Sequence, residues 1–332
     1  MKQGTNNKSH KKDRISAKLL SIVVPAYNEE GVLSEFHKRV SSVLKAVPLN
    51  AEIIYVNDGS TDKTLDVLRQ LRESDQRVAI VDLSRNFGKE AAMSAGLDHS
   101  TGDAVVVIDA DLQHPPDLIP DMLSHWIEGY DVVYATNLDR FGEGRIKRYL
   151  TAVFYRLIKI FGRIELPENA GDYRLLSRRA VDAIVQLREQ HRYMKGLFSW
   201  IGYPQKAIPY QPDPRFAGNT KWGYLDLWYL ALEAITSFTV APLKVATYFG
   251  LASAFVAFIY GVITIYQKLV YGNPVAGYPS LLVAVLFLGG IQLLTIGIIG
   301  EYLGRIFDET KQRPLYFVKG YDPSSSSRKT ES

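Results

Sequence analysis

Short runs of apolar, β-branched residues alternate with amphipathic stretches in the first part of the chain. Between the first two runs, apolar residues from Val32 to Leu44 keep helical spacing, and a second helical window starts near Thr61. This alternation predicts an α/β fold, with a mostly parallel sheet and helices on both faces. The predicted strands are Leu19–Ala26, Ala51–Val56, Val78–Leu83, Ala104–Ile108 and Val132–Tyr134.

The pattern changes near the C-terminus, where no charged residue occurs between Lys244 and Lys268 or between Lys268 and Glu301. A helix needs about 20 apolar residues to cross the hydrocarbon core of a membrane. The sequence therefore predicts a membrane unit over 243–304, with helices at about 245–268 and 280–303. The alternative is a pair of buried core helices.

Basic residues predict the orientation of this unit. The turn between the two helices carries Lys268 alone, whereas Lys221, Lys244, Arg305, Lys311 and Arg313 flank the other ends. This asymmetry predicts an integral protein of the cell (inner) membrane with the catalytic domain and both termini in the cytoplasm. Residues 1–18 form a basic flexible tail without a secretory signal, and 305–332 form a cytoplasmic tail that is disordered from Ser324 onward.

Composition excludes several classes of protein. The chain of 332 residues has no cysteine, so a disulfide framework, a thiolate metal site and a cysteine nucleophile are all excluded. A formal net charge of +4 is too small to indicate nucleic-acid binding, and no nucleic-acid partner is expected.

Polar and acidic residues follow the predicted strands, at the edge where parallel sheets bind ligands. The sequence has no G-x-G-x-x-G after the first strand and no Walker A motif, so a diphosphate must be held by other means. Asp109 and Asp111, two residues apart after the fourth strand, supply oxygen ligands for Mg²⁺ or Mn²⁺. The alternative is a solvated acidic turn.

Four segments lie at or after the ends of the first four predicted strands: Ser21–Glu29, Val56–Asp62, Arg85–Lys89 and Asp109–Pro116. Together they resemble the inverting family 2 glycosyltransferases of the GT-A (Rossmann-like) fold. Within that family the chain is similar to the polyprenyl-phosphate glycosyltransferases, the group of dolichyl-phosphate mannose synthase. The two C-terminal apolar segments make it most similar to bactoprenol glucosyltransferases, and the resemblance covers about residues 19 to 310.

The resemblance implies roles for donor-site residues. The loop with Pro25, Tyr27 and Glu29 holds the nucleotide base, and Asp58 contacts the uridine. Asp109 and Asp111 bind nucleotide and metal, with Asp111 counted as catalytic, and Gln113 completes the metal shell. Lys89 is either a nucleotide contact or a surface lysine at a helix N-terminus. Arg215 and Lys221, in a loop similar to the family's R-x-x-G-x-[ST]-K-W motif, are expected near the pyrophosphate.

On the acceptor side, Ala170–Leu175 resembles the segment whose aspartate faces the reacting centre. Asp172 is the catalytic candidate, either as a general base or as an orienting group, because a lipid phosphate is already ionised at neutral pH. Arg174, Arg140 and Arg148 are the acceptor-phosphate candidates. Many relatives carry arginine where Asn137 stands, and without the resemblance Asp172 and Arg174 would read as a surface ion pair.

Two further stretches predict amphipathic helices on the membrane surface, at about 145–161 within a catalytic domain of 19–220, and at 221–240. The alternative is that both pack on the sheet. Self-association is open, since the glycines of the membrane helices and the Leu315–Val318 run permit it.

The sequence thus predicts inverting transfer of a hexose, glucose from UDP-glucose, to undecaprenyl or another polyprenyl phosphate at the cytoplasmic membrane face. GDP-mannose or another donor is an alternative within the same fold. A polysaccharide synthase is less favoured because no Q-x-x-R-W motif occurs. A membrane-anchored nucleotide-sugar-binding scaffold without turnover is the alternative from another class.

Overall fold

A computed structural model describes residues 18–137, 170–211, 239, 241–271 and 277–325. Eight strands form one sheet: β1 Leu19–Ala26, β2 Asn50–Asn57, β3 Val78–Leu83, β4 Ala104–Val107, β5 Val132–Asn137, β6 Ala170–Ser177, β7 Gln205–Tyr210 and β8 Val318–Asp322. The helices are α1 Leu33–Ala46, α2 Thr64–Ser74, α3 Lys89–Asp98, α4 Ile119–Glu128, α5 Arg178–Gln186, α6 Met194–Trp200, α7 Ala241–Tyr271 and α8 Tyr278–Thr310, and a 3₁₀ turn spans Pro116–Leu118.

The strand order across the sheet is β7-β5-β6-β4-β1-β2-β3-β8. β1 pairs in parallel with both β2 and β4, β2 with β3, and β5 with β7. β6 runs antiparallel to β4 and β5, and β8 runs antiparallel to β3. The predicted α/β class with a mostly parallel sheet is confirmed, with the antiparallel strands as an addition.

Alternation along β1 divides its side chains between the two faces of the sheet. Ile22 and Val24 pack in the cluster that includes α1, while Val23 packs in the cluster that includes α3. α3 lies so close to β1 that a Cβ added to Gly96 would lie 2.2 Å from Cγ1 of Val23. This close packing fixes where α3 begins, at Lys89, beside the carboxyl ends of the strands.

The long helices α7 and α8 differ from the other helices in length and surface. They contain candidate membrane spans over Pro242–Gln267 and Val283–Thr310, with mean hydropathies of 1.9 and 2.2, and neither apolar window is buried inside the described structure. They are therefore not core helices of the described fold, and this pair of helices associates with a membrane. Both extend beyond the predicted bounds, α7 to Tyr271 and α8 to Thr310.

The segment after α8 returns to the sheet as β8. Ser324 is buried and its hydroxyl donates to Glu52 Oε2 at 3.4 Å, and the Ser325 amide donates to the Gln76 carbonyl. The prediction of disorder from Ser324 is therefore wrong for Ser324 and Ser325, because edge-strand pairing carries the chain past this point.

Several predicted features lie outside the described residues. These are the amphipathic helices at 145–161 and 221–240, the tail before Lys18, and the side chains Arg140, Arg148, Arg215 and Lys221.

Candidate active site

A cavity of about 300 Å³ lies at the carboxyl ends of β1, β2 and β4. The strand ends bring together side chains that are far apart in the sequence, as the parallel pairing requires. Predicted site residues that line it are Pro25, Tyr27, Glu29, Asp58, Lys89, Asp109 and Asp111.

Asp58 anchors the loop that leads into α3. Its side chain is buried, and its two carboxylate oxygens accept the backbone N–H groups of Phe87 at 2.8 Å and Gly88 at 3.0 Å. Burial raises the pKa of Asp58, although the two N–H donors oppose this shift. The next residue, Gly59, has a φ of +62°, and a Cβ there would lie 2.2 Å from the Arg85 carbonyl carbon, so the close approach requires glycine.

Lys89 lies between two carboxylates of the site, one that follows β4 and one on β6. Its Nζ lies 2.7 Å from Asp109 Oδ1 and 2.7 Å from Asp172 Oδ2. Burial lowers the pKa of Lys89, but the two carboxylates outweigh burial, so the pKa is raised. Since the ammonium contacts two site carboxylates, Lys89 is not an isolated surface lysine.

Asp172 on β6 is held ionised. Burial alone would raise its pKa, but Lys89 and then Lys195 outweigh burial and bring the pKa well below its usual range. Its Oδ2 accepts from Lys89, whereas its Oδ1 is buried without a hydrogen-bond partner in the described part of the chain. A carboxylate with so low a proton affinity is better suited to orienting a ligand than to removing a proton.

Arg174, also on β6, is buried rather than exposed beside Asp172. Its Nη2 donates to the Gly171 carbonyl at 2.5 Å, and its guanidinium carbon lies 3.8 Å from the centre of the Phe198 ring. Burial lowers the pKa of Arg174 to about 10, against the opposing effect of Asp172. The described contacts of Arg174 thus hold the backbone at the start of β6, and the interpretation of Asp172 and Arg174 as a surface ion pair is wrong.

Three carboxylates that line the cavity, those of Glu29, Asp109 and Asp111, lie close enough to repel one another. Glu29 has its pKa raised to about 6, first by burial and then by Asp111 and Asp109. Asp111 Oδ1 accepts the backbone N–H of Gln113 at 3.1 Å, and Leu112 between them is buried with a φ of +62°. A branched residue in this conformation is strained, and such strain is typical of functional loops.

The carboxylates of Asp109 and Asp111 fit a divalent cation that also binds substrate phosphates. No group of three His, Cys, Asp or Glu side chains in the described ranges is arranged as a complete metal site. Mg²⁺ is usually bound by one or two carboxylates together with substrate phosphates, which is the set that Asp109 and Asp111 offer. The raised pKa of Glu29 supports this fit, because a cation would relieve the repulsion among the three carboxylates.

Two further groups lie near the site. The sequence does not indicate Glu90, and for His114, beside Pro115, it favours a loop-shaping role over that of a base. Glu90 follows Lys89, accepts the Met194 N–H at 3.1 Å, and has its pKa raised to about 7, mainly by burial and then by Asp172. His114 packs against Tyr173 and Tyr210, with ring centres 5.4 and 5.8 Å apart. Only its position next to Lys89 could have indicated Glu90, since its contact with Met194 depends on α6, which is distant in the sequence.

The mostly parallel sheet with acidic residues at its carboxyl edge and the appended pair of apolar helices have the architecture of a GT-A fold with a membrane hairpin. The model of glycosyl transferase family 2 matches residues 21–185, and that of the GtrB C-terminal hairpin matches residues 241–306. The chain belongs to glycosyltransferase family 2 and is a glycosyltransferase, which confirms the resemblance seen in the sequence.

Its relatives match nearly their full length. An uncharacterized glycosyltransferase of Synechocystis sp. is 50% identical over 90% of this chain and 94% of its own length. The bactoprenol glucosyl transferase of Shigella phage SfX is 47% identical over 90% and 98%, and the prophage bactoprenol glucosyl transferase homolog of Escherichia coli (strain K12) is 46% identical over 90% and 98%.

Proposed function

We propose that this glycosyltransferase transfers a hexose, glucose from UDP-glucose, to a polyprenyl phosphate such as undecaprenyl phosphate at the cytoplasmic membrane face. The observation that carries the proposal is the Lys89 bridge between Asp109 and Asp172, which joins an acidic nucleotide cavity to a second ionised carboxylate. The names of the Shigella phage SfX and Escherichia coli relatives support a bactoprenol acceptor and glucose as the sugar.

On the donor side, Pro25, Tyr27 and Glu29 hold the base, and Asp58 contacts the uridine while it fixes the loop before α3. Mg²⁺ or Mn²⁺, held by Asp109, Asp111 and Gln113, would neutralise charge that develops on the departing diphosphate. Arg215 and Lys221 are assigned to the pyrophosphate from the family motif.

In the transfer step, an oxygen of the lipid phosphate forms a bond to the anomeric carbon of the sugar. The bond from that carbon to the UDP oxygen breaks, its electron pair leaves with UDP, and the configuration inverts. No proton has to be removed from an ionised phosphate, which agrees with the depressed pKa of Asp172. Asp172 orients the reactants, and Arg140 and Arg148 are assigned to the acceptor phosphate. Arg174, the third candidate from the sequence, is buried and acts by holding the backbone beside Asp172.

The test uses the purified full chain in detergent with undecaprenyl phosphate, Mg²⁺ or Mn²⁺, and one radiolabelled nucleotide sugar at a time. We expect label in the organic phase with UDP-glucose, and none when the lipid or the metal is omitted. Faster transfer from GDP-mannose would overturn the donor assignment. Absence of lipid-linked label with every donor, despite nucleotide binding, would favour a scaffold without turnover.

The membrane face needs a separate test. Because the chain has no cysteine, single cysteines can be introduced by Asn273→Cys, between the two long helices, and by Lys319→Cys on β8. A membrane-impermeant maleimide should label the first from outside intact spheroplasts and the second only after lysis. The reverse pattern would contradict cytoplasmic catalysis.

A further inference from the structure

A second cavity, of about 680 Å³, lies where the segment after α8 meets the sheet domain. The start of α3, the loop before α6 and residues 308–317 surround it, and we call it the junction cavity. Gly88 and Lys89 line both the junction cavity and the nucleotide cavity, and so form the wall between them.

The junction cavity carries an excess of positive charge. Arg85, Arg192, Lys311 and Arg313 line it in addition to Lys89, which is already engaged by Asp109 and Asp172. The acidic residues in its lining are Glu90 and Asp308, and Asp308 lies 3.1 Å from His191.

The exposed cations of this lining are not neutralised by carboxylates within the described part of the chain. The guanidinium of Arg85 lies over the Phe87 ring, and the ammonium of Lys311 lies over the Phe307 ring. Neither of them, nor Arg313, forms an ion pair with a described acidic side chain. Such a cluster favours a phosphate-bearing ligand.

Arg192 gives a second, independent indication of a ligand. Its side chain lines the cavity but the residue is only 8% exposed, and its Nη1 donates to the Leu187 carbonyl at 2.5 Å. Its Nε is buried without a hydrogen-bond partner in the described ranges. A buried donor left without an acceptor is costly, so an anion beside Arg192 would be favourable.

Part of the remaining wall is apolar, and it lies next to the end of α8. Leu315 and Phe317 line the cavity, with Phe317 packed against Phe87. The apolar surface of α8 continues to its last turns, where Ile306 and Phe307 are 57% and 58% exposed. Since these side chains need lipid or interface to cover them, the headgroup layer reaches the end of α8, where the cavity begins.

We propose that the junction cavity binds the phosphodiester headgroup of an anionic membrane phospholipid. Cationic pockets at the cytoplasmic ends of membrane helices bind such headgroups. The cavity takes two of its cations from the segment directly after α8, beside which bulk phospholipid is always present. The lipid would join the membrane helices to the sheet domain, and this inference does not depend on the proposed sugar transfer.

The test is native mass spectrometry of the full chain in detergent, titrated with dioctanoyl-phosphatidylglycerol. We expect saturable binding of this lipid, and much weaker binding of dioctanoyl-phosphatidylcholine and of inorganic phosphate. The double variant Lys311→Gln/Arg313→Gln should bind phosphatidylglycerol more weakly, by about fivefold for each cation removed. Lys319→Gln removes an exposed cation of the same segment outside the cavity and should bind like the unmodified chain.

Four outcomes would overturn the proposal. Equal binding of the two phospholipids, or unchanged affinity in the double variant, would remove the headgroup site. Inorganic phosphate binding as tightly as phosphatidylglycerol would make the cavity a site for free anions. A raised KM for polyprenyl phosphate in the double variant, with phosphatidylglycerol affinity unchanged, would assign the cavity to the acceptor. Both changed side chains are exposed, and a melting curve checks that the fold is kept.

Discussion

The sheet and the long helix pair bury apolar residues by different means. Val23 in β1 is fully buried by the protein's own packing, whereas Leu293 in α8 is 72% exposed although it lies in an equally apolar stretch. At the carboxyl edge of the sheet, Asp58 is held by two backbone N–H groups, and Lys89 by Asp109 and Asp172. The apolar pattern thus identifies both regions, but only the sheet domain supplies its own interior, and α7 and α8 depend on lipid.

The charged edge of the sheet is where a single substitution should have the largest effect. Replacing Asp111 by Asn removes a carboxylate that would bind the divalent cation, while its size and the hydrogen bond from Gln113 can be kept. We expect transfer to fall by about 10³-fold, equivalent to about 4 kcal/mol in the activation barrier. The measurement is the initial rate of lipid-linked label formation.

Asp66→Asn is the matched control, because Asp66 is an exposed carboxylate on α2 that pairs with Arg69. We expect its rate to stay within about twofold of the unmodified chain, since exposed ion pairs contribute little. Similar melting temperatures should show that both variants fold. Transfer by Asp111→Asn at a near-normal rate would remove the metal role of this residue.

Replacing a glycine by alanine in the sheet domain and in the membrane helix α8 tests how closely each of the two helices is packed. In Gly96→Ala the new Cβ would lie 2.2 Å from Val23 Cγ1, so α3 has to move away from β1. We expect a loss of about 3 kcal/mol in the free energy of unfolding of the sheet domain. Gly289→Ala in α8 meets no atom within 4 Å, and alanine favours helix, so stability should change by less than about 1 kcal/mol.

Chemical denaturation of the two detergent-solubilised variants measures this difference. Equal losses would mean that α8 packs against a surface as close as that under α3. No loss in Gly96→Ala would mean that the helix can shift on the sheet without cost.

The sequence predicted the parts of the fold that depend on local pattern. β2 was predicted as 51–56 and spans 50–57, because a buried run of β-branched residues can form little else between two turns. β8 was missed, since all five of its residues are exposed and it follows a membrane helix. Its place is set by pairing with β3, more than 200 residues away in the chain.

The same distinction applies to the site. The D-x-D residues and Asp58 follow strands, so the parallel topology alone brings them together. The burial of Arg174 under Phe198, and that of Glu90 beside Met194, depend on α6 packing against the site from outside the predicted strands. The hydrophobic pattern around Arg174 and Glu90 does not indicate these contacts with α6.

The raised pKa of Glu90 predicts a pH-dependent stability. Burial and Asp172 raise the pKa to about 7, above the ordinary value of about 4.5 that the unfolded chain retains. The folded state therefore binds more protons than the unfolded state between these values, and stability falls as pH rises from 4.5 to 7. Glu90→Gln should be more stable than the unmodified chain at pH 8, by about 2 to 3 kcal/mol, and equally stable near pH 4.

Chemical denaturation at several pH values tests whether the stability of the unmodified chain falls, relative to Glu90→Gln, as pH rises. Glu73→Gln, which changes an exposed glutamate near the end of α2, is the control, and its stability should stay close to that of the unmodified chain. A Glu90→Gln advantage that does not vary with pH would mean that removal of a carboxylate is not its origin.

The smallest expected effect lies at the joint between the two regions. Tyr316, after α8, donates its hydroxyl to Asp98 Oδ2 at 2.5 Å, and Asp98 also accepts both guanidinium nitrogens of Arg188. Burial and the bond to Asp98 raise the pKa of Tyr316, so the phenol remains a donor at neutral pH.

Tyr316→Phe keeps the packed ring, and Arg188 still pairs with Asp98, so we expect a loss of about 1 kcal/mol by chemical denaturation. Tyr248→Phe, on the exposed surface of α7, should lose nothing measurable. If the two variants were equally stable, the hydrogen bond from Tyr316 to Asp98 would contribute nothing, and the segment after α8 would be held by its other contacts, which include β8 pairing and the hydrogen bond from Ser324 to Glu52.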